Sequence, residues 1–328
     1  MRLVTVALEE AVGHILRHNI SDDHGRKAFA KGRLIKADDL PRLRDLGYSS
    51  LRVAILEDGD IHENEAAQRL AAAISGPGVA STPAHAARSN LQALYPGPLA
   101  IDIERLYAIN NLDGLTVATL RDHSCVQERQ ILATIKVIPF AVPKSLLEEA
   151  EKIASSGPPI IQVQPLTVLE VGVLLVASAR ARQRIESVVF PAIEQRVAAL
   201  QAAVVQTHVV APDEQAIADA LNELRHAGVG LIIVAGETSI MDQDDVTPQA
   251  IRLAGGRIEH YGAPVEPGNL LLLAYFDQPG LEPLPILGAP GCVRSRDTNI
   301  VDLLLPRLLA GELIRRADIV SLGHGGLL

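Results

Sequence analysis

From residue 170 onward the chain alternates between two hydrophobic rhythms, and few folds can absorb that alternation. EVGVLLVAS (170–178), AVVQTHVVA (203–211), VGLIIVAG (229–236) and EPLPILG (282–288) are short apolar runs, the first three rich in β-branched residues. Such runs read as strands covered on both faces. Between them lie segments with apolar residues at helical spacing. RQRIESVVFPAIEQRVAALQA (182–202) is one, with Pro191 predicting a local kink. PDEQAIADALNELRHAG (212–228) carries Ile217, Leu221 and Leu224 on one face and ends at Gly228. TPQAIRLAGG (247–256) offers Thr247 as N-cap and Pro248 at the first helical position. DTNIVDLLLPRLLAG (297–311) is a further helix, with Thr298 at its start. Strands joined by helical crossovers predict an α/β, doubly wound, mainly parallel sheet.

The first half lacks that regularity. LRVAILE (51–57), GLTVATL (114–120) and QILATIKVIPFAV (130–142) read as strands, and ENEAAQRLAAAISG (63–76) as an amphipathic helix. Mixed elements without alternation predict an α+β domain. The Gly157-Pro158-Pro159 break then predicts two domains, residues 1–160 (α+β) and 161–328 (α/β).

Composition excludes several classes. Aromatic residues make up 3% of the chain and Trp is absent, so stacking platforms for single-stranded nucleic acid are not expected. The net charge is −9 without a Lys/Arg run, which argues against a duplex footprint. Cys125 and Cys292 stand alone and far apart, predicting neither disulfides nor a zinc site and fitting the reduced cytosol. The N-terminal stretch has Glu9 and Glu10 within its apolar run, unlike a signal peptide. No apolar run approaches the roughly 18 residues that span a bilayer.

Two loops carry the chemistry. The first follows LIIVAG: Gly236, Glu237, Thr238 and Ser239, then Asp242, Asp244, Asp245 and Thr247 at a helix start. Gly236 lets the chain turn, and the N–H groups of the loop and helix terminus face the carboxyl edge of the sheet, where α/β proteins bind anions. Asp245 is placed to hold a ligand ring nitrogen or a metal-bound phosphate. The second loop is Gly288-Ala289-Pro290-Gly291-Cys292-Val293-Arg294-Ser295, whose arginine suits bidentate phosphate contacts. Between them Pro267, Gly268 and Asn269 predict a sharp turn before another strand.

Weaker signals invite bland readings. His14 and His18, one helical turn apart, fit a polar helix face better than a metal site. Asp58, Asp60, His62 and Glu63 read as helix-start electrostatics. The His324-Gly-Gly segment reads as a mobile terminus.

In order and spacing, residues 168–312 resemble the molybdopterin-binding domain of molybdopterin adenylyltransferases, molybdopterin molybdotransferases and competence-damage-inducible proteins. That family has a GGTG loop, an Asp-x-Thr-Pro helix start, a Pro-Gly turn and a Pro-Gly loop. Gly236–Ser239, Asp245–Pro248, Pro267-Gly268 and Pro290-Gly291 stand at those places. The resemblance implies binding of molybdopterin or molybdenum cofactor during its synthesis or handling, and a homo-oligomer serving a molybdoenzyme. It implies Asp245 as the catalytic residue if there is catalysis, with a magnesium ion there acting at the pterin phosphate.

The chain departs from the family at the loop's second and fourth glycines, which are Glu237 and Ser239. The acidic residue that follows the first strand in the synthesis enzymes is also displaced; in SARARQRIESVV (178–189) only Glu186 offers a carboxylate. These changes predict weak chemistry with retained binding, hence a non-catalytic carrier. The competence-damage-inducible relatives suggest a different enzyme, a pyrophosphatase acting on an ADP-ribose-like dinucleotide.

Overall fold

Alternate side chains of the Glu170–Val176 strand enter two different cores, which makes it an interior strand of a covered sheet. Val171, Val173 and Leu175 pack on one side with Leu231, Ile233 and Leu273. Leu174 and Val176 pack on the other with Ile232, Val234 and Leu272. Gly172 has no side chain to place; a Cβ there would come within 2.9 Å of Leu224, so this glycine sets how closely a helix lies on the sheet.

The computed structural model describes residues 1–237, 240–242 and 244–328. The chain divides into two compact units: Met1–Tyr95 with Leu99–Asp122 and Val126–Val163, and Pro96–Pro98 with His123–Cys125 and Gln164–Leu328.

The second unit holds one six-stranded sheet. Its strands in chain order are β1 (Glu170–Val176), β2 (Ala203–Val210), β3 (Leu231–Gly236), β4 (Arg257–Tyr261), β5 (Leu272–Phe276) and β6 (Leu284–Gly288). They lie in the order β2-β1-β3-β6-β5-β4. The first four run parallel; at one edge β5 pairs antiparallel with β6, and β4 pairs antiparallel with β5. The sheet is therefore mainly parallel and doubly wound, as the alternation predicts. Helices α1 (Phe190–Ala199) and α4 (Ile300–Leu309) bury Ile193, Val197, Val301 and Leu304 against one face. Helices α2 (Glu214–His226) and α3 (Val246–Leu253) bury Ile217, Leu221, Leu224 and Ile251 against the other.

Residues 185–189 form a π-helical turn immediately before α1, whose first turn holds Pro191. Proline supplies no N–H, and a widened turn ahead of it absorbs the lost hydrogen bond, so the predicted irregularity sits at that place.

The first unit is α+β, as expected. Antiparallel strands Arg2–Ala7, Ser50–Ile55 and Ile15–Leu16 surround a small core with Leu8, Leu16, Leu43 and Val53. A four-stranded sheet that includes Arg88–Ala93, Leu115–Thr119 and Ile131–Val137 packs with the helices Glu63–Ile74 and Lys144–Ser155 around Leu70, Leu91, Ile135 and Leu147.

Three readings need correction. His14 and His18 lie outside any helix, on either side of the Ile15–Leu16 strand, so no polar helix face carries them. The His324-Gly-Gly segment is tied down rather than loose: Glu266 N donates to Gly326 O at 2.7 Å and Leu328 N to Glu266 O at 2.9 Å. Helix α3 starts at Val246 with Asp245 in the N-cap position, so Thr247 is not the cap, and α4 starts at Ile300, two residues beyond Thr298, with Asn299 as its cap. His62 does cap its helix, its Nδ1 accepting from Asn64 N at 3.2 Å. Among the described residues no helix is long and apolar enough to cross a membrane.

Candidate functional site

β3 ends at Gly236, and the next residue turns its carboxylate back toward β1. Glu237 N donates to Val176 O at 3.0 Å, extending the ladder by one step. Its Oε1 accepts from Ser178 N at 3.2 Å and its Oε2 from the Ser178 hydroxyl at 2.8 Å. A carboxylate at this sheet edge would be costly if unpaired; two donors from one serine hold it in place. Thr238 and Ser239, expected in the ligand loop, lie outside the described residues.

The three aspartates beyond them form a closed local network. Asp245 Oδ2 accepts from Met241 N at 2.6 Å and from Asp242 N at 3.0 Å. Asp242 Oδ1 accepts from Asp244 N at 2.8 Å, and Asp244 Oδ1 from Gln249 Nε2 at 3.3 Å. Asp245 thus spends its carboxylate on the loop before the helix and gives α3 no side-chain cap. Tyr261 lies over this loop and donates to Ile240 O at 2.9 Å; burial first, then the charges of Asp245 and Asp242, raise its phenol pKa. Thr247 is buried at the start of α3.

The Pro267–Asn269 turn is where expected, and its role is to seat α4. Gly268 has φ +135°, and a Cβ there would run into Ile300, 2.6 Å from its Cβ and 3.0 Å from its backbone N. Only glycine tolerates both the dihedral and the approach. Pro267 O accepts from Ile300 N at 3.2 Å, satisfying one open donor of the helix terminus, and Asn269 O accepts from Ala263 N at 3.0 Å.

The second loop is held from behind. Its Gly291–Arg294 segment forms a single 3₁₀ turn. Arg196 of α1 reaches under it and donates to Val293 O at 2.9 Å and Ser295 O at 2.8 Å, while its Nε meets Asp302 Oδ1 at 2.9 Å. Asp302 Oδ2 accepts from Asn299 N at 2.9 Å, and the buried Asn299 side chain accepts from Val301 N at 3.0 Å, a reciprocal cap for α4. Ser295 Oγ is spent on Asp297 at 2.8 Å. Burial pushes the Cys292 thiol pKa up.

These pieces enclose a pocket of about 130 Å³ at the carboxyl edge of the sheet. Gly236 and Glu237 line one side, Pro290, Gly291 and Arg294 another, and Arg184, Ile185, Val188 and Val189 close it from the turn before α1. Of the residues expected from sequence, Gly236, Glu237, Pro290, Gly291 and Arg294 therefore meet. Asp242, Asp244, Asp245, Thr247, Pro267, Gly268 and Asn269 do not line this pocket, nor do Cys292 and Ser295. Glu186, the expected substitute acid, points elsewhere and pairs with Arg182 at 2.9 Å.

Arg184, Ser178, Arg196 and Asn299 were not expected as site residues. The run of arginines in SARARQR was the available signal for Arg184. Among the described residues neither Arg184 nor Arg294 forms an ion pair, and both are exposed. The pocket thus combines two open guanidiniums with one half-buried, hydrogen-bonded carboxylate.

A larger cavity of about 800 Å³ lies elsewhere in this unit, among Val168, Val229, Leu284 and Leu308. Arg225, Asp277, Glu282 and Glu312 stand among its aliphatic and proline residues; Arg225 lies over the Phe276 ring, Asp277 meets Arg257 at 3.4 Å, Glu312 binds Arg307 at 2.8 Å and Tyr275 Oη donates to Ile314 O at 3.0 Å. None of the described loop residues expected from sequence lines it.

Residues 172–310 match a family model described as "Probable molybdopterin binding domain", and residues 5–55 one described as a domain of unknown function. No curated protein matches the chain. Among solved structures, a molybdenum cofactor biosynthesis protein from Pyrococcus furiosus is 10% identical, with 98% of this chain and 65% of that one covered, at a TM-score of 0.26. The chain thus spans less than two thirds of that protein's length. A molybdopterin biosynthesis protein from Pyrococcus horikoshii is 11% identical, covering 98% and 75%, at a TM-score of 0.28. A tungsten cofactor synthesizing protein from Pyrococcus furiosus is 16% identical, covering 44% and 89%, at a TM-score of 0.29.

Proposed function

We propose, from the premise that residues 172–310 belong to the probable molybdopterin binding domain family, that this protein binds molybdopterin or molybdenum cofactor and carries it without turning it over. The observation that carries the reading is the pocket in which Arg184, Arg294 and Glu237 converge. Two exposed guanidiniums suit a terminal phosphate, for which arginine offers paired donors. The half-buried carboxylate of Glu237 suits a heterocycle with N–H groups. A pterin phosphate has both.

Binding without turnover follows from the charge of the loop. Phosphoryl chemistry is accelerated by donors aimed at developing negative charge. Glu237 adds an acceptor at the place where related loops carry glycine, which opposes such charge. Magnesium-assisted chemistry at Asp245 has less support. The carboxylates of Asp242, Asp244 and Asp245 are engaged within their own loop and none lines the pocket. Among the described residues, no three His, Cys, Asp or Glu side chains group as a metal site.

The test is titration with molybdopterin, followed by fluorescence of the oxidised pterin retained after desalting. Stoichiometric retention that falls in Arg184→Ala and Arg294→Ala is expected, with no turnover of ATP or of ADP-ribose. Metal-dependent release of a mononucleotide from ADP-ribose, without pterin retention, would replace this reading with a dinucleotide pyrophosphatase.

A further inference from the structure

Three charged groups line the pocket, and they do not neutralise one another. Among the described residues Glu237 makes no ion pair with Arg184 or Arg294; its two oxygens accept only from Ser178. The carboxylate is half-buried while both guanidiniums are exposed. A negative acceptor therefore sits deeper than the two positive donors. Ser178 fills the inner fork of the carboxylate and leaves the outer lone pairs open, and Glu237 lines a space of about 130 Å³.

That polarity is wrong for swallowing a phosphate and right for reading a ring. A phosphate driven inward would meet the Glu237 carboxylate. A ring substituent with an N–H donor would meet one outer lone pair of the Glu237 carboxylate, a charge-assisted hydrogen bond. The 2-amino-4-oxo pyrimidine half of a pterin presents such a donor in its 2-amino group. Its 2-oxo counterpart turns a carbonyl toward the same carboxylate. A space of this size takes a single ring edge, with the rest of the ligand outside, where the guanidiniums stand.

We infer that Glu237 is the specificity-determining residue of the pocket, reading the 2-amino-4-oxo edge of the ligand, with Ser178 as its positioning residue. This rests on the pterin-binding reading above and goes beyond it, because it fixes which end of the ligand enters first and which heterocycles are refused. A site built to pair with a donor rejects an analogue lacking it, since its own acceptor is then left facing a like dipole.

The experiment uses the full chain with three probes: pterin, lumazine (the same bicycle with a 2-oxo group) and inorganic phosphate as competitor. Fluorescence titration of wild type is expected to favour pterin over lumazine by about tenfold. Glu237→Gln and Glu237→Gly are expected to bring that ratio to within about twofold, chiefly by weakening pterin, and Ser178→Ala to lower it in part. Circular dichroism and thermal midpoints of the variants guard against a folding defect. Equal binding of both bicycles by wild type overturns this inference while leaving pterin binding intact. Binding of neither, with phosphate still bound, overturns both.

Discussion

Arg196 and Asp302 meet at 2.9 Å behind the loop that carries Arg294, and the same guanidinium donates to the carbonyls of Val293 and Ser295. One side chain of α1 thus fixes both the second loop and the start of α4. The Arg196 side chain is 11% exposed and that of Asp302 30%, so the pair is only weakly screened. Arg196→Met would remove the side-chain donor of two loop carbonyls and leave the Asp302 carboxylate with Asn299 N but no countercharge, a loss of about 2–4 kcal/mol in urea unfolding. Arg196→Lys keeps the charge but has no planar fork, and should recover less than half of that. Freed from its anchor, the loop should also become cleavable by trypsin after Arg294 and Arg296 in the variants and not in wild type.

Gly268 gives a second test of how the turn and helix are joined. Its φ of +135° is one that a residue with a Cβ adopts only under strain, and Ile300 already occupies the space. Gly268→Ala should cost about 3 kcal/mol or more, because strain and overpacking act together. Gly280→Ala is the contrasting control. It also has positive φ, +77°, but open space around it, so it should cost only about 1 kcal/mol. Equal losses at the two positions in denaturant titrations would show that contact with Ile300 contributes nothing.

These two tests bear on parts of the molecule that differ in how far sequence reveals them. The covered strands were legible, because β1 and β3 are apolar on both faces and nothing but a parallel interior accounts for that. RIEHY (257–261) was not. It is a half-buried edge strand that pairs on one side only, antiparallel to β5, and its polar residues hide the pattern. The short strands of the first unit escape for a related reason: Arg88–Ala93 is defined by pairing with Ile131–Val137, about forty residues away. At the site, Gly236 and Pro290-Gly291 were legible because turns need those residue types. Arg196 was not, because its partners stand 97 to 106 residues away and nothing local distinguishes it from any other helix arginine. Glu237 was visible only as a departure; that Ser178 holds it required β1 and β3 side by side.

Tyr275 supplies the pH prediction. Its ring is buried and its hydroxyl donates to Ile314 O at 3.0 Å; burial first of all drives its pKa up to about 12 from an ordinary 10. The folded state thus favours the protonated phenol. The sign follows: the stabilisation is fully present below pH 10, declines as the unfolded chain begins to ionise, and is gone by about pH 12. Wild type should lose stability across that window faster than Tyr275→Phe. At pH 7 wild type is the more stable by about 1–3 kcal/mol, since the phenylalanine leaves Ile314 O without this donor. Parallel curves for the two proteins between pH 9 and 12 would rule out Tyr275 as the titrating group.

Cys292 decides whether sulfur takes part in ligand binding. It stands in the second loop, close to residues that line the pocket, yet does not line it itself. Burial raises its thiol pKa, the charges of Glu266 and Asp302 add to this, and Arg196 opposes it. A thiol ligates molybdenum as thiolate and gives up its proton on binding, a loss that a raised pKa makes costlier near neutral pH. The place of Cys292 outside the pocket lining predicts that it takes no part in binding. Iodoacetamide at pH 8 should label it several-fold more slowly than it labels the urea-unfolded chain. Cys292→Ala should keep pterin affinity within about twofold of wild type, since no ligand contact is lost. A tenfold loss of affinity for molybdenum-loaded pterin, with affinity for the metal-free pterin unchanged, would instead put the thiolate on the metal.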